Sequence, residues 1–299
     1  MKRLIAVLDR HFGIITIFPA ALCIVVIFGY PMGMNIWLSF TNKSMISKNV
    51  SFVGLANYAR VLGDPVTWNA LKNGVAFSLF AVGSQTIIGF AAALMIFSIK
   101  TRRVQTTVRN LLLIPWATPF ISSVFIWRWI YNDLLGLLNR LLMAAGIILS
   151  PVPWLGTPGL AMFSVVARTA WFGTPLMMVS ILAGMQSIPS SQLDYARLEG
   201  ATTFQLVRHV IFPNVRGIVG ILAILRTIWT FNNFGNIYSL TGGGPQHATE
   251  TLPLLAYQTA WGQFLLGKSG ALCVVITFFL AILLFVYFKL LRIKENVSL

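Results

Sequence analysis

Six apolar stretches, near residues 14–40, 74–99, 110–131, 160–185, 218–240 and 271–291, organise this chain, and each is close to the length a helix needs to cross a bilayer core. Of its 299 residues 57% are hydrophobic and 10% charged, and the mean hydropathy is +0.80, whereas a soluble domain is roughly half apolar and a quarter charged. An all-α polytopic membrane protein with six transmembrane helices is therefore expected, because in lipid a helix satisfies its own backbone. The basic segment 1–13 ahead of an apolar run has the outline of a secretory signal. The run is too long for one and lacks a small-residue cleavage site, so it reads as a retained first helix bent at Pro19 and Pro31.

Orientation follows from the cations. The formal net charge of +15 is spread over span ends instead of gathered on a soluble face, which excludes nucleic acid as a partner and leaves membrane lipid. Lys2, Arg3, Arg10, Lys100, Arg102, Arg103, Arg109, Arg197, Arg208, Arg216, Lys289, Arg292 and Lys294 fall on one side. The other side holds only Lys43, Lys48, Arg60, Lys72, Arg140 and Lys268. The positive-inside rule places both termini, and the interval 186–217, in the cytoplasm.

The spans lack the means to drive or catalyse anything alone. All seven acids (Asp9, Asp64, Asp133, Asp194, Glu199, Glu250 and Glu295) lie in loops or at span ends, so the ionisable relay of an ion-driven carrier is missing. There is no phosphate-binding loop, no nucleophile–base constellation, and hence no catalytic residue. His11, His209 and His247 are far apart in sequence, so no metal site is expected; Cys23 and Cys273 read as small packing residues. The third span carries Pro115 and Pro119 and must break where a neighbour can satisfy the freed carbonyls. The second has a small side, Gly83, Gly89, Ala91, Ala92 and Ala93, suited to close helix approach. Outside the spans, 133–146 reads as a short amphipathic helix and 151–158 as a rigid turn.

The interval 186–217 is the longest polar stretch between spans. Ser191 and Asp194 have capping-box spacing, Leu193, Ala196 and Leu198 form a small apolar side, and Gly200 suits a left-handed closing residue. A second helix over 203–212 follows, with Phe204, Val207, Val210 and Ile211 at helical spacing and Pro213 as its stop. From pattern alone this is either a solvated loop or a lever.

The order Asp194, Ala196, Glu199-Gly200-Ala201, Gln205, Arg208, Val210 and Pro213 resembles the "EAA" loop of binding-protein-dependent ABC importer permeases. The resemblance implies a type I ABC importer permease fold over 1–299 as one transmembrane domain, in a bacterial plasma membrane. It also implies a coupling loop at 186–217 that docks on an ATPase through Asp194, Tyr195, Ala196, Arg197, Glu199, Gly200, Ala201 and Arg208. Implied partners are a second, homologous permease subunit, an ATP-binding dimer and an extracytoplasmic solute-binding protein. ATP would be bound by the partner, so this chain needs no cofactor. The segment 229–245 and the first external loop are similar to those of permeases for di- and oligosaccharides, polyols and glycerol phosphate, which implies a carbohydrate-type solute. A stand-alone secondary transporter or channel is the rival reading.

The fifth span is the most polar. Amides that donate and accept, beside aromatic faces, suit a hydroxyl-rich solute, so Trp229, Asn232, Asn233 and Tyr238 are candidate pathway residues. Equally, the asparagines could link helices while Trp229 meets lipid. Arg226 could bind an anionic group of a solute, or cap carbonyls and contact water. Arg128 and Arg168, nearer span ends, are given structural roles.

Overall fold

A computed structural model describes residues 16–291. In chain order the helices are α1 (Thr16–Ser39), α2 (Ala56–Gly63), α3 (Pro65–Ser98), α4 (Arg102–Leu112), α5 (Ile114–Ala117), α6 (Phe120–Ile130), α7 (Leu137–Ala144), α8 (Pro158–Gln186), α9 (Ser190–Leu198), α10 (Thr203–Phe231), α11 (Phe234–Leu240), α12 (Leu252–Tyr257) and α13 (Leu266–Leu291). Among the described residues the only extended pairing is an isolated bridge between Thr41 and Phe52. Five helices, α1, α3, α8, α10 and α13, are long and apolar enough to cross a membrane. The expected third span is instead split into α4, α5 and α6. The basic ends counted for orientation (Lys2, Arg3, Arg10, Arg292 and Lys294) lie outside the described residues, as do the termini themselves.

Two expected span edges move. α3 starts at Pro65 and not near residue 74, so the last part of the expected external loop is helical; proline's fixed φ suits a first helical position. α10 starts at Thr203 and runs unbroken to Phe231, so Pro213 does not stop it. Immediately before Pro213 the helix widens over Val207–Ile211, and the Phe212 amide bonds the Val207 carbonyl five residues back. The wider turn accommodates a ring that would clash with the carbonyl four residues earlier and a nitrogen that cannot donate. The same device precedes Pro31, where α1 widens over Val25–Gly29 and continues.

The chain divides into two compact units, one from Met1–Pro65 and Ala256–Phe278, the other from Val66–Leu255 and Phe279–Leu299. In the first, buried Asn57 donates to the carbonyls of Ser39 (2.9 Å) and Thr41 (2.7 Å), so the exposed α1 ends on a fixed partner. Gly270 of α13 lies against Asn35, close enough that a Cβ would meet the Asn35 carbonyl at 3.1 Å.

The second unit has two apolar clusters. Phe77, Val124, Val165, Ile237 and Leu254 form one. Ala93, Ile96, Met177, Ile181, Met185, Leu193, Ile211 and Val215 form the other, which joins α3, α8 and α10 to the loop helix α9. Of the small residues expected to admit a neighbour, Gly89 and Ala93 do so, whereas Gly83 faces open space. At Gly89 a Cβ would sit 2.7 Å from the Met177 Cβ and 3.2 Å from the Met178 amide. Because the second obstacle is backbone, Gly89→Val is expected to lower stability by about 2–3 kcal/mol, read as a drop in unfolding midpoint and in membrane-inserted yield.

The expected amphipathic helix is α7, and one residue fixes the turn after it. Asn139, fully buried, donates to the Asp133 and Val152 carbonyls and accepts from the Val152 amide and the Trp154 indole. Cys23 is exposed and Cys273 partly buried, so the packing role expected of Cys23 does not hold.

Candidate functional site: a membrane polar cluster and an exposed lever

Inside the span region, three helices bring polar groups together at a point where glycine leaves room. Gln85 of α3 is fully buried. Its amide donates to the Thr169 carbonyl of α8 (3.1 Å), and its oxygen accepts from Nε of Arg226 on α10 (2.7 Å). Gly173, one turn beyond Thr169, makes this geometry fit: a Cβ there would overlap the Arg226 guanidinium and stand 2.6 Å from the Gln85 side chain. Thr169 Oγ1 donates to its own helix and accepts from Asn236 of α11 (2.5 Å). The Asn236 oxygen and the Thr230 hydroxyl are buried without a hydrogen-bond partner among the described residues, a cost that native structures carry at few sites.

The sequence-predicted pathway residues flank this cluster with differing roles. Arg226 belongs to it; its guanidinium also lies 5.9 Å from the Trp229 ring centre, and it forms no salt bridge with any described residue. Trp229 (55% exposed) and Tyr238 (47%) present open faces. Asn232 and Asn233 mark a break between α10 and α11. Asn232 bonds back to the Ile228 carbonyl, and Asn233 caps α11 by accepting from the Asn236 amide. Neither links helices; Asn236 does. Gln85, Thr169 and Gly173 were missed because each looks ordinary inside its own apolar stretch, and only the fold makes them neighbours.

Arg168 is not near a span end. It sits eleven residues into α8, fully buried, with its guanidinium between the Phe120 and Phe172 rings at 4.5 and 4.8 Å. Nη2 donates to the Phe120 carbonyl (3.1 Å) and to Ser123 Oγ (2.5 Å). Arg168 thus ties α8 to the first turn of α6, just beyond the Pro115–Pro119 break, a structural role.

The interval 186–217 is helical over most of its length. α9 begins at Ser190 with Pro189 before it, and no side chain caps it. The expected Ser191–Asp194 box does not form because Pro189 holds the N-cap position and Ser191 lies inside the first turn; Asp194 pairs instead with Arg197 (3.1 Å), an exposed contact of little energetic weight. The capping box lies one helix later: Thr202 accepts from the Gln205 amide while the Gln205 side chain accepts from the Thr202 amide. Its T-x-x-Q spacing is legible at Thr202. Thr202→Ala is expected to cost about 1 kcal/mol locally, seen as faster amide exchange over 203–206 with no loss of inserted chain.

Gly200 takes the left-handed conformation (φ +77°) and closes α9; its amide bonds the Arg197 carbonyl and the Ala201 amide bonds the Ala196 carbonyl, both at 3.0 Å. Leu193 is buried in the core cluster, which fixes α9 to the spans. Leu198 and Phe204, expected on apolar inner sides, are instead 84% and 69% exposed, and Tyr195 is 70% exposed. Asp194, Arg197, Glu199 and Arg208 are exposed around them, with Ala196 and Ala201 partly so. α9 and the start of α10 are thus held to the spans by Leu193 while aromatic and leucine side chains are turned outward.

The family model described as "Binding-protein-dependent transport system inner membrane component" matches residues 74–294. The trehalose/maltose transport system permease protein MalF of Thermococcus litoralis is 35% identical over 292 residues, 96% of each chain. The inner membrane ABC transporter permease protein YcjO of Escherichia coli is 31% identical over 293 residues, 97% of this chain and 96% of that one. A chain in the crystal structure of a bacterial ABC transporter involved in the import of the acidic polysaccharide alginate superposes with a TM-score of 0.85 at 16% identity, covering 98% of this chain and all of that one. The all-helical architecture is thus that of an ABC transporter permease, as the loop resemblance implied.

Proposed function

The chain belongs to the family of binding-protein-dependent transport system inner membrane components, and from that premise we propose that it is the permease subunit of an ATP-driven importer for a carbohydrate or sugar-like solute. The family is one of transport permeases, not enzymes. In this reading the whole chain acts as one transmembrane subunit with six crossings, the segment 102–130 forming the broken one, and α9 faces the cytoplasm. A second, homologous permease chain completes the conduit, an ATPase dimer binds and hydrolyses the nucleotide, and an external binding protein delivers the solute.

The observation that carries the reading is the lever: Leu193 ties α9 into the core while Tyr195, Leu198 and Phe204 stay exposed. Closure of the ATPase dimer against that surface would push on α8 and α10 together, because both contribute to the same apolar cluster. Farther along the same helices, α8 carries Thr169 and Gly173 and α10 carries Arg226, so movement of the lever would re-form the polar cluster. Trp229, Tyr238, Asn232 and Asn233 would line the route beside it. Trehalose and maltose, named for one relative, are reasonable first probes.

Reconstitution tests the assignment. Proteoliposomes holding this chain, the second permease chain, the ATPase and the binding protein are expected to accumulate labelled disaccharide only when ATP is supplied to the ATPase side. Gradient-driven uptake by this chain alone would establish the rival, a secondary transporter or channel.

A further inference from the structure

Within the second compact unit, α3, α10 and the end of α13 leave an open groove of about 680 Å³. Val75, Leu79, Phe231 and Leu283 line it, and polar groups in the lining are few: Thr86 and Thr227 each bond back to their own helix at 2.7 Å, Tyr287 stands near the Leu283 side, and the Ser78 hydroxyl is buried without a partner among the described residues. The groove is long as well as apolar. Gly74 meets the Phe231 ring at one end and Phe90 meets Phe212 at the other, and the nineteen residues between Phe212 and Phe231 rise about 28 Å. One leaflet of the hydrocarbon core is about 15 Å deep.

The only cation in the lining is Arg216, near the Phe212 end. It is exposed and forms no salt bridge with any described residue. A dry slot of at least leaflet length with an unpaired guanidinium at its mouth matches one chemistry, an acyl chain inside and a phosphate outside.

We propose that this groove holds an acyl chain of an acidic phospholipid, with the headgroup phosphate on Arg216 and the chain running toward Val75 and Leu79. The lipid belongs to the leaflet on the Arg216 side and needs no particular transported solute, so the site stands or falls independently of the solute class.

The test uses the full-length chain, purified with whatever subunits accompany it, delipidated, and titrated with phosphatidylglycerol or phosphatidylcholine of matched chains, bound lipid being counted by native mass spectrometry. Phosphatidylglycerol is expected to bind about fivefold more tightly. Arg216→Gln should abolish that preference, weakening phosphatidylglycerol more than phosphatidylcholine, whose phosphate is already offset by its own choline cation. Gly83→Leu should reduce binding of both lipids about tenfold, because Gly83 lines the groove and a Cβ added there meets no other atom within 4 Å. Equal binding of the two lipids by the unaltered chain, or full lipid binding by Gly83→Leu, would overturn the proposal. So would a cross-link from Gly83→Cys to another membrane helix in the assembled importer, which would make the occupant protein.

Discussion

Gly173→Ala is expected to cut solute uptake about tenfold while the chain still inserts and assembles. The single added carbon would overlap the Arg226 guanidinium and lie 2.6 Å from both the carbonyl carbon and the oxygen of the Gln85 side chain. Gln85 cannot simply retreat, since it is fully buried and its amide is already spent on the Thr169 carbonyl. The guanidinium therefore has to leave, and a charge-assisted hydrogen bond of about 1.5–3 kcal/mol is lost. Alanine returns about 1 kcal/mol of helix propensity, so stability should fall only slightly. Function is where the larger part shows: if Arg226 must point along the route for solute to pass, that bond converts to a tenfold or greater loss in rate. Gly159→Ala is the control, being on the same helix with nothing within 4 Å of the added carbon. Uptake at the unaltered rate in Gly173→Ala would remove the cluster from the pathway.

That cluster also marks where reading the chain as a string stops working. Helix existence was legible because bilayer-length apolar runs admit few alternatives, and the Gly200 turn was legible because a lone glycine after a helical pattern has one common use. Boundaries were not. Pro213 reads as a stop, yet a widened turn carries the helix through it, and that turn leaves no mark in residue type. Direction of side chains was equally hidden: Leu198 and Phe204 have helical spacing with their neighbours but face outward, because spacing shows which residues share a face and not what that face meets. Gln85 and Thr169 each sit among apolar residues, and their meeting with Arg226 depends on Gly173 leaving room between helices far apart in sequence. Arg168 reads as a cation near a span end, and only the fold places it eleven residues into α8 with the Phe120 carbonyl within its reach.

Gly200→Val should uncouple the lever without unfolding the protein. At φ +77° only glycine is unstrained, and an L-residue pays about 1–2 kcal/mol there, more when branched at Cβ. Space is not the obstacle, because a Cβ at Gly200 meets nothing within 4 Å; the effect is therefore carried wholly by the backbone. Relief of that strain reorients the chain between Arg197 and Thr202. The two closing bonds of α9 are then lost, and Tyr195 and Leu198 move relative to Phe204. Leu193 keeps α9 attached to the core, so insertion and abundance should hold. ATP hydrolysis by the proposed partner is expected to continue while uptake falls about tenfold or more, as two contact groups no longer meet one surface together. Gly200→Asn supplies the contrast: asparagine tolerates the left-handed region, and this variant should keep most of the uptake that valine loses. Valine and asparagine behaving alike would mean the turn's handedness is irrelevant to coupling, and normal uptake in both would show that force does not pass through α9.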